Sequence, residues 1–483
     1  MSKVVLLIVL PLMTAFLLPV IHRVSPFAGR WMGPAVLLLT SVMGILLWSE
    51  LGHGALAIEI GGFRPPLGIT LYVDQLALLL ALAVTVGTLL LWPGGGEDRL
   101  RQSTLALLLA GAGSGLALSG DLFNIYVFYE LLAVVSYGLI ASRGTAAVFA
   151  ATTRYLIISS FGAALALAGI ALVYQATGTL NLAQLAQLAP EKLNNIQGLA
   201  AFVLLLVGFG VKAELFPVNA WVAEVYATAS GRVSALLAGI ISKLALVIIV
   251  RLLILVFPQP EAHLVMLVLG ILGVVSGELA AWRAQDLRRM LAFSSIGQLG
   301  VMFIAFSIPG PAGVFAGLAV ALHHMIVKPA LFLLAAQWGG STARLAGAAK
   351  VSPLGAGLFV LLALSLIGVP PLPGFWAKLL VLVNLSEQAQ PLYYLGAGII
   401  LAGAALEANY LFRIASRFYY AQPGQTPPTV HRGGDLATAS LLGAGLLASV
   451  FVMTPLAAQL QSMALQASDT AHYIEVVNPE ALP

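Results

Sequence analysis

Residues 202–251 decide the fold, and they read FVLLLVGFGVKAELFPVNAWVAEVYATASGRVSALLAGIISKLALVIIVR. Two apolar runs long enough to cross a membrane carry a lysine in their middle, Lys212 in the first and Lys243 in the second. A lysine at the bilayer centre costs roughly 2.5 to 3.5 kcal/mol on the insertion scale. Pro217 follows Lys212 by only a few residues and interrupts the first run. A broken helix with a buried cation near its break is typical of an ion site at membrane depth.

The composition predicts an all-α polytopic membrane protein. Of the 483 residues, 60% are hydrophobic and 9% are charged, whereas soluble proteins have about 25% charged residues. The absence of cysteine excludes disulfides, iron–sulfur clusters and thiolate metal sites. The net charge of +4 is spread over short loops without a dense basic run, so a nucleic-acid partner is not indicated.

Apolar runs of about 20 residues are the criterion for a membrane span. Because the N-terminal run has no small-residue cleavage site, we interpret it as a first helix rather than a signal peptide. We predict about fourteen spans. Their approximate bounds are 3–21, 31–51, 71–92, 103–119, 121–141, 147–175, 199–227, 232–257, 262–281, 288–308, 312–338, 355–383, 392–415 and 435–460.

Basic residues in the loops predict the orientation. Arginine and lysine are concentrated in the loops after odd-numbered spans, whereas Arg64 and Lys192 alone stand in the loops after even-numbered spans. We therefore expect a multi-pass protein of the cell membrane with both termini on the outer side. The outer loop 176–198 is amphipathic and predicts a short surface helix, and the polar tail 461–483 should be extramembrane.

The two proline-interrupted runs suggest an internal repeat within a single integral membrane domain. Pro217 interrupts span seven, and the segment 370–374 interrupts span twelve. Two breaks five spans apart suggest inverted five-helix repeats, spans 4–8 and 9–13, and such breaks point to a transport site. We expect helices one to three in 1–102, the repeats in 103–257 and 262–415, and a last helix in 435–460.

Ionisable residues inside the predicted spans are the candidates for chemistry. Burial favours a neutral lysine and a nearby carboxylate favours a charged one, so a lysine held between these effects can exchange a proton near neutral pH. No acidic cluster has metal-ligand spacing, and we expect neither a metal nor a cofactor. The candidates are Glu130, Lys212, Glu214, Lys243, Arg251, His323, His324, Lys328, Lys378 and Glu407.

Each candidate also has a purely structural interpretation. Glu130 could form a helix-packing ion pair, and Lys212 and Lys243 could be statically paired. Lys378, beyond the second break, could reach the interface, while His324 and Lys328 share a helix face and could form a polar patch. Among the remaining candidates, Arg251 is better explained as an anchor, and Glu214 and Glu407 stay unassigned.

Several segments together resemble a known family. They are DLFNIYVFYELL at 121–132, GFGVKAELFPVNAW at 208–221, VSALLAGIISKLALVIIVR at 233–251, DLRRMLAFSSIGQLG at 286–300, HHMIVKPALF at 323–332 and GVPPLPGFWAKLL at 368–380. The chain resembles the antiporter-like subunits shared by Mrp-type Na+/H+ antiporters and respiratory complex I. YIEVV at 473–477 is similar to the ending of Mrp D subunits.

The resemblance implies a proton relay across the middle of the membrane. It would place Glu130 and Lys212 as the glutamate–lysine partners of spans five and seven, and Lys243 as the central lysine of span eight. The relay would continue through the residues that match the family in spans eleven and twelve, namely His324, Lys328 and Lys378. Asn219, Ala223, Gln298, Glu214, His323 and Pro329 depart from the pattern, which weakens histidine-mediated connections but leaves this line complete.

The sequence therefore predicts a proton-translocating subunit of a multisubunit Na+ (or K+)/H+ antiporter, a secondary transporter rather than an enzyme. Its partners would be other membrane subunits and the lipid bilayer. One alternative is a proton-pumping subunit of a redox complex such as complex I or a membrane-bound hydrogenase, although the chain has no quinone, flavin or nicotinamide motif. A non-transporting scaffold is the third alternative, but a scaffold has no use for four buried lysines.

Overall fold

A computed structural model describes residues 3–52, 54–93, 99–420 and 433–478. Its helices, in chain order, are α1 Lys3–Val24, α2 Pro26–Leu51, α3 Gln75–Leu90, α4 Arg99–Leu118, α5 Leu122–Ala141, α6 Ala146–Thr177, α7 Leu182–Lys192, α8 Ile196–Gly210, α9 Val222–Thr228, α10 Gly231–Leu236, α11 Ser242–Leu255, α12 Pro260–Arg283, α13 Leu287–Phe306, α14 Pro311–Trp338, α15 Ala348–Val351, α16 Pro353–Ile367, α17 Pro373–Glu387, α18 Pro391–Tyr419, α19 Gly433–Phe451, α20 Met453–Ser468 and α21 Thr470–Val477. Short 3₁₀ turns lie at Ile60–Gly62 and Thr342–Leu345.

The expectation of a mostly helical membrane protein is confirmed. Ten helices are long and apolar enough to cross a membrane, and three shorter apolar helices accompany them in the described residues. The predicted division between spans four and five is also confirmed, because α4 and α5 are separate helices. The count of fourteen spans and the inverted repeats stay predictions.

The start of the third predicted span was wrong. Residues Thr70–Val73 form a strand, β2, which pairs antiparallel with β1, Leu56–Glu59. The helix begins only after Asp74, whose carboxylate accepts a hydrogen bond from the backbone N–H of Ala77 at 2.6 Å. This N-cap fixes the boundary, and the apolar strand residues before it had extended the predicted run.

Both predicted interruptions are present. Helix α8 ends at Gly210, and a non-helical turn leads to α9 at Val222. The second break separates α16, which ends at Ile367, from α17, which begins with Pro373 at its first turn. Proline lacks a backbone N–H and fits only the first turn of a helix, which explains both interruptions.

The surface helix and the tail are more closely packed than the sequence indicates. Helix α7 confirms the short helix expected in 176–198, but one of its faces is buried, including Leu182 and Leu185. The tail expected to start near 461 is helical as far as Val477, and Tyr473 packs against Tyr72 with ring centroids 4.0 Å apart.

The chain divides into two compact units. Unit 1 comprises residues 1–213, 244–262 and 465–483, and unit 2 comprises residues 214–243 and 263–464. In unit 1, α6 and α8 approach closely through small residues: a Cβ added at Gly208 would lie 2.7 Å from Ala166. This contact brings α6 against the segment that carries Lys212.

In unit 2, a π-helical turn at Leu237–Ile241 immediately precedes Lys243. It packs tightly on α14, because a Cβ added at Gly239 would overlap Cγ of Pro329. Helices α12 and α13 also meet through glycines, and a Cβ at Gly277 would overlap the backbone nitrogen of Gly297. π-helical turns occur frequently at functional sites.

Candidate functional site

Lys212 lies in unit 1 at the first helix break and is buried. Its ammonium stands 3.3 Å from the ring centroid of Tyr129 and donates a hydrogen bond to Oγ of Ser159 at 3.4 Å. The hydroxyl of Tyr129 donates to the carbonyl of Gly208 at 3.0 Å. The aromatic face, rather than a carboxylate, is therefore the nearest partner of this cation.

Glu130 follows Tyr129 on α5 and lies within electrostatic range of Lys212. The described residues contain no direct ion pair between Glu130 and Lys212, although the resemblance implied partnership. Oε1 of Glu130 is buried and has no hydrogen-bond partner. An unpaired buried carboxylate oxygen is costly, and a proton or a water molecule would satisfy it.

Lys243 lies in unit 2 directly after the π-helical turn. Its ammonium donates to the carbonyl of Ala238, at the start of that turn, and is hydrogen-bonded to Nδ1 of His324. A charged lysine can only donate, so Nδ1 must then accept and Nε2 carries the hydrogen. Nε2 lies 3.3 Å from Oγ of Ser295, so the imidazole connects Lys243 to α13.

Lys328, one turn after His324 on α14, binds the neighbouring serine of α13. Its ammonium donates to Oγ of Ser294 at 2.7 Å and to the carbonyl of Leu291 at 3.1 Å. The Ser294 hydroxyl in turn donates to Oε1 of Glu407 at 3.3 Å. A single hydroxyl thus joins a buried lysine to a buried carboxylate.

Glu407 forms an ion pair with Lys378 that the sequence did not predict. Nζ of Lys378 lies 2.7 Å from Oε2 of Glu407 and also donates to the carbonyl of Ile367 at 3.2 Å, at the second helix break. Gln298 donates to both oxygens of Glu407 at 3.0 Å. Lys378 therefore does not reach the interface, and Gln298, a departure from the family pattern, holds the carboxylate.

Unit 2 thus contains a series of polar side chains that we call the unit 2 thread. It runs in two connected segments from adjacent serines of α13. The members are Lys243, His324, Ser295, Ser294, Lys328, Glu407 and Lys378. Hydroxyl, imidazole, amine and carboxyl groups can each both give and take a proton, so this arrangement can conduct protons.

Two further glutamates of unit 2 are buried. Glu214, at the first break, has φ of 57° and accepts a hydrogen bond from the Tyr226 hydroxyl at 2.7 Å, while its Oε2 has no partner. Glu278 on α12 accepts from the Tyr410 hydroxyl at 2.9 Å. Sequence reasoning left Glu278 out, although a carboxylate within an apolar run was the signal that could have identified it.

Arg251 is placed by the structure as an anchor of unit 1. Its guanidinium lies 3.4 Å from Oδ1 of Asp74 and 3.5 Å from the carbonyl of Ser119. His323 lies beside the thread, and its Nε2 is 2.8 Å from Oγ of Ser365. Across the described ranges, no group of His, Asp or Glu has the arrangement of a metal site.

Residues 119–402 match the family model described as NADH:quinone oxidoreductase/Mrp antiporter, TM. The D-type component of a Na+/H+ antiporter from Bacillus subtilis is 30% identical over 443 residues, 89% of each chain. The N-type component of an NADH-quinone oxidoreductase from Desulforudis audaxviator is 32% identical over 444 residues, 87% of each chain. These two relatives cover almost the same part of the chain.

A solved structure is similar over the whole length. A chain of the membrane-bound sulfane sulfur reductase, an archaeal respiratory membrane complex, superposes with a TM-score of 0.91 at 28% identity. The match covers 99% of this chain and 100% of that one. The fold is therefore that of a membrane protein found in a multisubunit complex.

Proposed function

Since the chain belongs to the NADH:quinone oxidoreductase/Mrp antiporter family, we propose that it is the proton-translocating subunit of a multisubunit Na+/H+ antiporter, similar to the Mrp D subunits. The antiporter relative from Bacillus subtilis and the tail segment at 473–477 support this branch. The protein moves protons, and companion membrane subunits complete the path of Na+ or K+. It lies in the cell membrane with both termini outside.

The unit 2 thread is the observation that carries the proposal. Lys328 gives a proton to the Ser294 hydroxyl as that hydroxyl gives its own to Glu407, and the lysine is left neutral. Glu407 can then protonate a neutral Lys378 across 2.7 Å. Each step keeps the total charge constant, and it takes place where bulk water cannot compete.

Glu130 and Lys212 supply the unit 1 part of the relay. The buried free oxygen of Glu130 accepts a proton readily, and its charge state controls whether the Lys212 ammonium is favoured. In the relay that we propose, protons pass through Glu130, Lys212, Lys243, His324, Lys328 and Lys378.

Replacement of Lys212 or Glu130 by alanine tests this function. We expect either change to abolish Na+/H+ antiport in vesicles while the complex still assembles, because each removes a proton-binding group. Lys350→Ala, at an exposed lysine, is the matched control and should leave antiport unchanged. Full activity in both relay variants would rule out the proposal.

A redox complex is the second candidate. The oxidoreductase relative and the likeness to a respiratory membrane complex favour it, and the chain would then be a proton-pumping subunit of an oxidoreductase. Native purification with identification of the companion chains discriminates the two. Iron–sulfur subunits would favour the redox complex, and small membrane antiporter subunits would favour the first proposal.

A further inference from the structure

Glu278 has no role in the relay proposed above, yet it is only 3% exposed within an apolar helix, α12. An ionised carboxylate at such a position requires compensation. Its only hydrogen bond among the described residues is the one from Tyr410, 2.9 Å from Oε2. A purely structural residue at this place would not need a carboxyl group.

The packing of α18 places Glu278 beside Glu407. Gly403, Glu407 and Tyr410 are spaced at i, i+4 and i+7 and therefore share one face of that helix. A Cβ added at Gly403 would lie 3.4 Å from Cγ of Glu278, and Tyr410 binds its carboxylate. The side chain of Glu278 thus lies against the face that presents Glu407.

Helix α13 contributes the second side of the same site. A Cβ added at Gly297 would overlap Oε1 of Glu278, so glycine is needed there for the carboxyl group to fit. The next residue, Gln298, donates to both oxygens of Glu407. Adjacent positions of α13 therefore accommodate the two carboxyl groups.

The titratable groups around Glu278 set its charge. Glu407 and Tyr410 on α18, Lys378 on α17 and Lys328 on α14 are its electrostatic neighbours. Two carboxyl groups that share one site do not readily ionise together, so one of them retains a proton. With Glu278 included, the glutamates Glu214, Glu278 and Glu407 equal in number the thread lysines Lys243, Lys328 and Lys378.

We infer that Glu278 is a further proton-carrying residue, which shares a proton with Glu407 at the end of the unit 2 thread. The inference rests on the proposed function. When Lys378 gives up a proton, its N–H bond breaks and an O–H bond forms on one carboxylate of the pair, which leaves a neutral amine and a neutral acid. The second carboxyl group thus stores a proton close to the ion pair.

Glu278→Gln tests the inference, because glutamine keeps the shape and can accept the Tyr410 hydrogen bond but cannot bind a proton. We expect antiport to fall at least tenfold and its pH profile to change. Glu278→Asp should recover part of the activity, and Tyr410→Phe, which removes only the hydrogen bond, should cost less than Glu278→Gln. Parental rates and an unchanged pH profile for Glu278→Gln would overturn the inference and leave the proposed function standing.

An infrared pH titration of the purified complex gives a readout that does not depend on transport. We expect a titrating carboxylic C=O band that Glu278→Gln removes or shifts. If the parent complex exchanges no ions, the proposed function fails, and the infrared band alone decides whether Glu278 binds a proton. Identical titrations of the parent and Glu278→Gln would refute the shared proton.

Discussion

At the scale of single residues, Lys212 is held by an aromatic ring. The Tyr129 ring lies 3.3 Å from its ammonium, and a desolvated cation–π contact contributes about 2 kcal/mol. We expect Tyr129→Leu to lower the thermal stability of the purified complex more than Tyr129→Phe, which keeps the ring and loses only the hydroxyl's hydrogen bonds. Thermal unfolding measures both variants, and equal losses would contradict the role of the ring.

The Lys378–Glu407 pair predicts that stability and transport separate. Lys378→Met leaves a buried carboxylate without its cation, and Glu407→Gln leaves the cation without its carboxylate, so each should cost about 3 to 5 kcal/mol. The double variant has neither charge and should regain most of that stability. Antiport should stay lost in all three variants, since the proton-binding groups are gone.

Thermal unfolding and vesicle antiport of the same preparations check this cycle. Additive stability losses in the double variant would show that the pair is not coupled, contrary to the 2.7 Å contact. Recovery of antiport in the double variant would show that the pair is a structural ion pair only.

Sequence reasoning reached the lysines of the site better than their partners. Each lysine was evident because a cation in an apolar run is costly, and the same argument applied to Glu278. The partnership of Lys378 with Glu407 could not be predicted, because the two lie on different helices and no alignment of the side chains follows from periodicity. Glu130 was expected to pair with Lys212, and instead the Tyr129 ring lies closest.

At the scale of elements, the π-helical turn before Lys243 depends on Gly239. A methyl group there would overlap the ring of Pro329, and such overpacking costs about 1 to 3 kcal/mol. We expect Gly239→Ala to destabilise the protein and to lower antiport, because it displaces the turn that supports Lys243. Thermal unfolding and vesicle antiport measure the two effects.

Gly398→Ala is the matched control, since a Cβ at that helical position meets nothing within 4 Å. It should be neutral or stabilising by up to about 1 kcal/mol, because alanine is the better helix former. Pro329→Ala should relieve part of the Gly239→Ala defect. A Gly239→Ala variant as stable as Gly398→Ala would show that the turn tolerates the methyl group.

The elements themselves were largely predictable, whereas their local geometry was not. Apolar runs marked the helices, and Pro217 and the prolines at 370–373 marked both breaks, because proline cannot continue a helix. The π-helical turn had no comparable signal, since a single glycine in an apolar run is also compatible with a regular helix. Likewise the strand at Thr70–Val73 merged with the apolar helix that follows it.

At the scale of the whole molecule, the distribution of basic residues predicts how the chain is oriented in the membrane. The loops after odd-numbered spans contain most of the arginines and lysines, and such loops stay in the cytoplasm. Helix α6, with 32 residues, is about 48 Å long at 1.5 Å per residue and exceeds a bilayer core of about 30 Å. The two ends of α6 should therefore lie on opposite sides of the membrane.

Single cysteines at the two ends of α6 test this orientation, and the native chain contributes no cysteine of its own. Ala146 and Asn194 are both exposed, the first at the start of α6 and the second in the loop after α7. In intact cells, a membrane-impermeant maleimide should label Asn194→Cys, whereas Ala146→Cys should react only after permeabilisation. The opposite pattern would invert the topology, and labelling of both from outside would mean that α6 does not span the bilayer. Because the direction of proton movement depends on which end of the relay faces the cytoplasm, this result also fixes the direction in which the antiporter works.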